Sequence, residues 1–105
     1  MAKELKMDKN TLIIGAGNLG SAIAYGYESF INSNKEYIYI YDINQNKKNY
    51  FKKSKHIIFV KDLSIILKKS KCIIMAVKPK DYKDVCKIIK EDLNKDALVL
   101  SVMAG

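Results

Sequence analysis

The sequence predicts an α/β fold in which five strands form one doubly wound parallel sheet, of order 3-2-1-4-5, with helices on both faces. Three observations predict it. Short runs rich in β-branched and apolar residues alternate with stretches of helical periodicity along the 105 residues. Residues 72–77 read Cys-Ile-Ile-Met-Ala-Val without a polar interruption, the composition of a strand buried on both faces of a parallel sheet. Between the first apolar run and the first helical stretch lies Gly15-Ala16-Gly17-Asn18-Leu19-Gly20, a connection able to turn a strand directly into a helix.

In order, residues 1–9 are polar and expected to fray, so the first strand begins near Asn10 and is carried by Leu12, Ile13 and Ile14. The helix opening at Asn18 places Leu19, Ala22, Ile23, Gly26 and Phe30 on one apolar face, and residues 32–34 end it. Glycine costs about 1 kcal/mol against Ala in a helix interior, so Gly26 points to a close neighbour there. The second strand, residues 37–42, alternates Tyr37, Tyr39 and Tyr41 with Ile38 and Ile40 and closes on Asp42. Tyrosines on one face and isoleucines on the other suit burial on both sides, with the hydroxyls reaching the sheet rim.

Residues 44–55 form a polar, Lys-rich helix or helical turn anchored by Tyr50 and Phe51. Residues 57–60 make a short third strand, and Asp62 can cap a helix presenting Leu63, Ile66 and Leu67. The fourth strand stops at Lys78-Pro79, because Pro79 lacks the N–H a central strand needs and suits the first turn of a helix. That helix carries Tyr82, Val85, Cys86 and Ile89 on one side, with Leu93 a turn further. Residues 94–96 make a turn, and residues 97–103 form the fifth strand.

A hydrophobic fraction of 49% and a charged fraction of 29% describe one globular domain over residues 1–105. No apolar run is long enough to cross a membrane, and the charged start MAKELKMDKN has no apolar core of a secretory signal, so a cytoplasmic setting is expected. The net charge is +8, yet all 19 basic residues are Lys. Without Arg, the usual bidentate reader of guanine and phosphate, neither a nucleic-acid nor a membrane partner is expected, and the charge instead steers an anionic ligand. Cys72 and Cys86 form no C-x-x-C pair and read as buried free thiols. His56 is the sole histidine, which leaves no metal set and no catalytic triad.

Right-handed crossovers bring residues 15–20, Asp42, residues 76–79 and residues 101–105 to one crevice at the carboxyl ends of the strands. In the G-x-G-x-x-G turn, Gly15 permits the bend, Gly17 lets the backbone approach a pyrophosphate, and Gly20 lets helix and strand pack closely. The helix start then offers free N–H groups and the positive end of its dipole. Asp42 follows Gly20 by 22 residues, where an acid accepts from ribose hydroxyls. Together these residues propose a dinucleotide, NAD or NADP, as the ligand.

Three blocks resemble the amino-terminal domain of pyrroline-5-carboxylate reductase: residues 15–23 (GAGNLGSAI), the turn Ala76-Val77-Lys78-Pro79, and residues 98–105 (LVLSVMAG). The resemblance covers nearly the whole chain, and the Ala76-Val77-Lys78-Pro79 turn is its specific part. It implies a Rossmann-like fold, with Gly15, Ala16, Gly17, Asn18, Leu19 and Gly20 holding the pyrophosphate and Asp42 and Asn44 at the ribose. Ala76, Val77, Lys78 and Pro79 line the cofactor trough, and Ser101 and Ala104 approach the nicotinamide. The implied chemistry is hydride transfer from NAD(P)H to an imine carbon, within proline synthesis.

Several positions depart from the family pattern. Leu19 stands for the usual Met, a near-isosteric change, and Lys71 stands where the family commonly has Asp. At the end of the second strand, relatives place Ser, Asn or Arg that receive a 2′-phosphate. Asp42 repels that phosphate while Asn44, Lys47 and Lys48 tolerate it, so the residues favour NADH whereas the family habit favours NADPH. The family also continues into a helical second domain that forms the dimer and supplies much of the imine pocket, whereas this sequence stops at Gly105. A cofactor half without its substrate half is therefore expected, inactive or weakly active alone, with no catalytic residue assigned and Lys78 read as a cofactor-turn residue. Two other readings stay open. One is a stand-alone dinucleotide-binding or interaction module, as a homo-oligomer or beside a separate substrate-domain chain; the other is the cofactor domain of a deazaflavin-dependent NADP reductase or a hydroxyacid-type dehydrogenase.

Overall fold

The computed structural model describes residues 10–31 and 36–102. Its centre is β1 (Thr11–Ile14), whose four residues are all buried. The chain continues as α1 (Asn18–Glu28), β2 (Ile38–Tyr41), a 3₁₀ turn (Gln45–Phe51), β3 (Ile57–Phe59) and α2 (Leu63–Lys69). It then forms β4 (Cys72–Met75), a short 3₁₀ turn (Pro79–Asp81), α3 (Tyr82–Lys90) and β5 (Leu98–Ser101). All neighbouring strands are parallel and the order is β3-β2-β1-β4-β5, as the sequence predicts. β1 pairs with both β2 and β4, so Ile13 sits between Ile40 and Ile74 and Ile14 between Tyr41 and Met75.

The period of two along each strand divides the core into two layers. Leu12, Ile14, Ile73 and Met75 face Leu63, Ile66 and Leu67 of α2 and Ile89 of α3. Ile13, Ile38 and Ile40 face Ala24 of α1, together with Phe51 and Ile57. Phe51 anchors the second layer: its ring stacks on Tyr25 at 5.6 Å and on Phe59 at 6.1 Å between centroids. Tyr39 and Tyr41 pack against the first layer and the β2 isoleucines lie in the second, the division read from the alternation.

Local signals set the element ends. Asp62 caps α2, its Oδ1 accepting the Ser64 N–H at 3.1 Å, and Lys68 and Lys69 close the last turn in favour of the helix dipole. The Glu28 carboxylate accepts from the Ser54 hydroxyl and from the His56 N–H at 3.0 Å, which ties the end of α1 to the start of β3. His56 is thus a strand-start residue, and its Nδ1 lies 3.0 Å from the Glu36 carbonyl oxygen. Among the described residues, no cluster of three metal-ligating side chains occurs, and no helix is long and apolar enough to cross a membrane.

Three expectations need correction. α1 does not bury the face through Ala22, Gly26 and Phe30: its buried residues are Gly20 and Ala24, and Phe30 is 83% exposed. The close seat of Gly20 on the loop fixes the rotation of the helix, which leaves Ile23 against the core and turns Ala22, Gly26 and Phe30 outward. Gly26 has open space around it, so no close neighbour explains it. The α-helix ends at Glu28, continued by single-turn bonds from the Phe30 N–H to Tyr27 and from the Ile31 N–H to Glu28. The expected stop at residues 32–34, like the fraying of residues 1–9, lies outside the described residues.

β5 is exposed along its whole length. It aligns Leu98 with Cys72 and Leu100 with Ile74, so these four side chains share one face. α1 and the Gln45–Phe51 turn cover that side of the sheet only over β1, β2 and β3. Leu98 and Leu100 therefore stay 59% and 46% exposed. Both cysteines are free but only half-buried, rather than buried as expected.

Two contrasts follow. Leu12→Ala, at the fully buried centre, should cost about 2–5 kcal/mol in urea unfolding, whereas Leu98→Lys should stay within about 0.5 kcal/mol. Partial burial pushes the Cys72 thiol above its ordinary pKa of 9.0. A raised folded-state pKa gives stability that is fully present below the unfolded value and lost as pH rises through the folded one. Native stability should therefore fall as pH climbs through and above about 9, and Cys72→Ser should lessen that fall in urea titrations between pH 8 and 11.

Candidate functional site

A crevice of about 1110 Å³ opens at the carboxyl ends of β1, β2 and β4, where the chain reverses its direction of travel across the sheet. That reversal leaves a cleft in any doubly wound sheet, because the connections on its two sides go to opposite faces. What makes the cleft a site is the loop from Gly15 to Gly20.

The three glycines have different physical tasks. Gly15 sits at φ 110°, a region that side chains rarely adopt, and an added Cβ would lie 2.4 Å from the Ala76 carbonyl oxygen. At Gly20 an added Cβ would lie 1.7 Å from the Gly15 carbonyl oxygen, so α1 reaches its seat only because this side chain is missing. Gly17 is different: its backbone is extended and nothing lies within 4 Å of where a Cβ would stand. The fold does not require glycine at Gly17, which instead keeps open the space between the loop and the crevice it lines. This cradle fits a phosphate group. No side chain caps the start of α1 and its first turn holds no acid, so the free N–H groups there face that space with the positive end of the dipole behind them.

The end of β2 is stitched to this loop. The Gly15 N–H donates to the Tyr41 carbonyl at 2.7 Å, and the Ala16 N–H donates to Asp42 Oδ2 at 2.7 Å. Asp42 Oδ1 accepts the Asn44 N–H at 2.8 Å, and the Asp42 carbonyl accepts from Gln45 Nε2 at 2.7 Å. From the other side, the Ser21 hydroxyl donates to the Ala16 carbonyl at 3.1 Å.

Of the residues proposed from sequence, Gly15, Gly17, Asn18, Leu19, Asp42, Ala76, Val77, Lys78 and Pro79 line the crevice. Ala16 and Gly20 lie buried behind it. Asn44 is outside the lining and caps the 3₁₀ turn, its Oδ1 accepting the Asn46 N–H at 3.1 Å. Ser101, at the exposed end of β5, is also outside the lining, and Ala104 lies outside the described residues. The sequence reading missed the apolar wall that Leu63, Val85 and Ile88 form on the β4 side, and the rim position of Lys80. Leu63 and Val85 were legible only as core, and Ile88 falls off the predicted helix face. The signal available was the 46% exposure of an isoleucine next to a loop built for a phosphate, which is visible only in three dimensions.

The crevice therefore offers N–H donors for a diphosphate, a carboxylate acceptor at one end, an apolar wall for a flat ring, and lysines at the rim. Together with a doubly wound parallel sheet, this defines a nicotinamide-dinucleotide-binding domain of the Rossmann class. More narrowly, the chain belongs to the family described as NADP oxidoreductase, coenzyme F420-dependent, which it matches over residues 11–105. It is 33% identical over 93 residues to pyrroline-5-carboxylate reductase of Aquifex aeolicus, a match covering 89% of this chain and 33% of that protein. The structure of a pyrroline-5-carboxylate reductase from Coxiella burnetii superposes with a TM-score of 0.79 at 25% identity, covering 93% of this chain and 36% of that one. The pyrroline carboxylate reductase of Plasmodium falciparum, solved with NADP bound, shares the fold with a TM-score of 0.69 at 24% identity, over 92% of this chain and 34% of its own. The chain thus spans about a third of the length of these relatives.

The two inner glycines should separate folding from binding. Gly20→Ala should unfold the chain or cost more than about 3 kcal/mol, because a Cβ has no place against backbone. Gly17→Ala should change urea stability by less than about 1 kcal/mol and weaken dinucleotide binding by titration calorimetry.

Proposed function

We propose that this chain is the cofactor-binding domain of a reductase of the pyrroline-5-carboxylate reductase type. It binds NADH or NADPH, whose hydride goes to an imine carbon of a substrate held by residues beyond this span. One observation carries the reading: the glycine cradle that Gly17 keeps open lies between Asp42 on one side and the Ala76-Val77-Lys78-Pro79 turn on the other. In this reading the loop and the start of α1 hold the pyrophosphate, Asp42 accepts from the ribose hydroxyls, and residues 76–79 form the opposite wall. Ser101, at the end of β5 and outside the crevice lining, is the β5 residue assigned to the nicotinamide end in this reading. The negative charge of Asp42 favours NADH over its 2′-phosphorylated counterpart. Lys78, Lys80, Asp81 and Asp84 also line the crevice, but among the described residues none of them is ion-paired with another, and in this reading the domain alone turns over slowly or not at all.

A second reading, an interaction module that works beside another chain, is favoured by the bare apolar face of β4 and β5. The family description favours a third, in which the same crevice serves an NADP reductase coupled to a deazaflavin.

Adding NADH or NADPH should raise the melting temperature by mass action, with about 2.7 kcal/mol of stabilisation at a hundredfold excess over Kd. Gly17→Asp should abolish the shift by placing a like charge in the cradle. Absence of any shift with both dinucleotides at millimolar concentration would remove the dinucleotide reading.

A further inference from the structure

We propose that Asp42 is a positioning residue for the glycine loop as well as the acceptor at the ribose end, and that this tether makes it a fixed charge which sets the choice of dinucleotide. The inference rests on the dinucleotide reading above and deepens it. A lone acid at the end of β2 could recognise ribose from a free rotamer. In this structure it cannot turn freely, because each carboxylate oxygen already holds a backbone N–H: Ala16 on Oδ2 at 2.7 Å and Asn44 on Oδ1 at 2.8 Å. These are charge-assisted hydrogen bonds, the stronger class.

The Ala16 bond joins positions 26 residues apart and reaches the middle of the phosphate loop. Ala16 is thereby held on both sides of its Cα, by Asp42 at its N–H and by the Ser21 hydroxyl at its carbonyl. One residue earlier, the Gly15 N–H bond to the Tyr41 carbonyl repeats the tie between the same two segments. The open space at Gly17 is the next peptide along. Loop shape and acid position are therefore one structural unit, and a change in one is felt in the other.

Two consequences follow for the ligand. A carboxylate oxygen holding one N–H keeps a second lone pair, which a ribose hydroxyl can fill as donor. A 2′-phosphate brings no such donor and meets a negative charge that withdraws only by breaking two hydrogen bonds. Lys47, which lines this side of the crevice, lies over the Tyr50 ring at 5.6 Å from its centroid. The site thus selects a dinucleotide with a free 2′-hydroxyl, and removing the charge alone does not convert it cleanly, because the loop also needs an acceptor at position 42.

The charge and the acceptor are separated by two variants. Asp42→Asn keeps one acceptor oxygen, available to the Ala16 N–H, and loses the charge and the second acceptor that holds the Asn44 N–H; Asp42→Ala loses the charge and both acceptors. The wild-type chain should bind NADH at least about tenfold more tightly than NADPH in titration calorimetry. In Asp42→Asn that ratio should narrow by about tenfold while the Ala16 amide, its bond no longer charge-assisted, exchanges faster than in the wild type but more slowly than in Asp42→Ala. In Asp42→Ala the Ala16 amide should exchange at least about tenfold faster, and both dinucleotides should bind more weakly than to Asp42→Asn. Unchanged Ala16 exchange in Asp42→Ala, or equal affinities of the two variants for both dinucleotides, overturns the positioning role. Should Asp42→Ala not fold, the scalar coupling across the Ala16 N–H to Asp42 carboxylate bond decides in the wild-type chain, and its absence overturns the proposal. A wild-type chain that binds neither dinucleotide defeats the reading of the preceding section, while the Ala16 measurements still decide the tether.

Discussion

The contact on which the rest depends is the seat of Gly20 on the Gly15 carbonyl, a backbone-to-backbone approach that leaves no room for a Cβ. It brings the start of α1 directly over the end of β1. From this one closeness come the rotation of α1, the choice of Ala24 as its core contact, and the direction in which its free N–H groups point. Hydrophobic burial is non-directional and would accept several rotations of an eleven-residue helix on this sheet. A close-packed backbone contact accepts one.

The two core layers divide their tasks accordingly. The layer beneath α1 and Phe51 supports the loop from behind, through Ala16 and Ala76, both buried against it. The opposite layer, under α2 and α3, ends at the crevice, so Leu63 and Val85 serve both as packing and as wall. The site is therefore not an addition to the fold. Its glycine loop, its acid and its apolar wall are the places where the ends of β1, β2 and the β4 layer run out of partners.

Much of the fold was legible because period and punctuation agreed. The Tyr/Ile alternation of β2, the Asp62 cap and the Pro79 stop each have a single local reading, and the structure follows them. The strand order was legible through the handedness of parallel crossovers, which leaves few arrangements once the elements are assigned. Part of the α1 face was misread, since Ile23 packs against the core while Ala22, Gly26 and Phe30 do not: a helical wheel weighs Phe30 by hydrophobicity and is blind to a glycine whose absent side chain sets the rotation. In the crevice, the glycines and Asp42 were legible from spacing. The Asp42 bonds to Ala16 and Asn44 were not, since a carboxylate's backbone partners depend on how two chain segments 26 residues apart come to rest. Ile88 was invisible for a related reason: its role comes from facing a cleft rather than from any pattern in its own helix.

β5 carries a further consequence, in colloidal terms. It ends the sheet with an unpaired edge and holds only Leu98, Val99, Leu100 and Ser101, with no Lys or Pro to discourage another strand from pairing there. The restraint on such pairing is the charge of +8 spread over the chain, which keeps copies apart by long-range repulsion. That repulsion reaches about 10 Å at 0.1 M salt and about 3 Å at 1 M. Salt therefore acts on this protein through its lysines: by screening them it weakens the repulsion that keeps the β5 edge, one of the two edges of the sheet, from pairing with another strand.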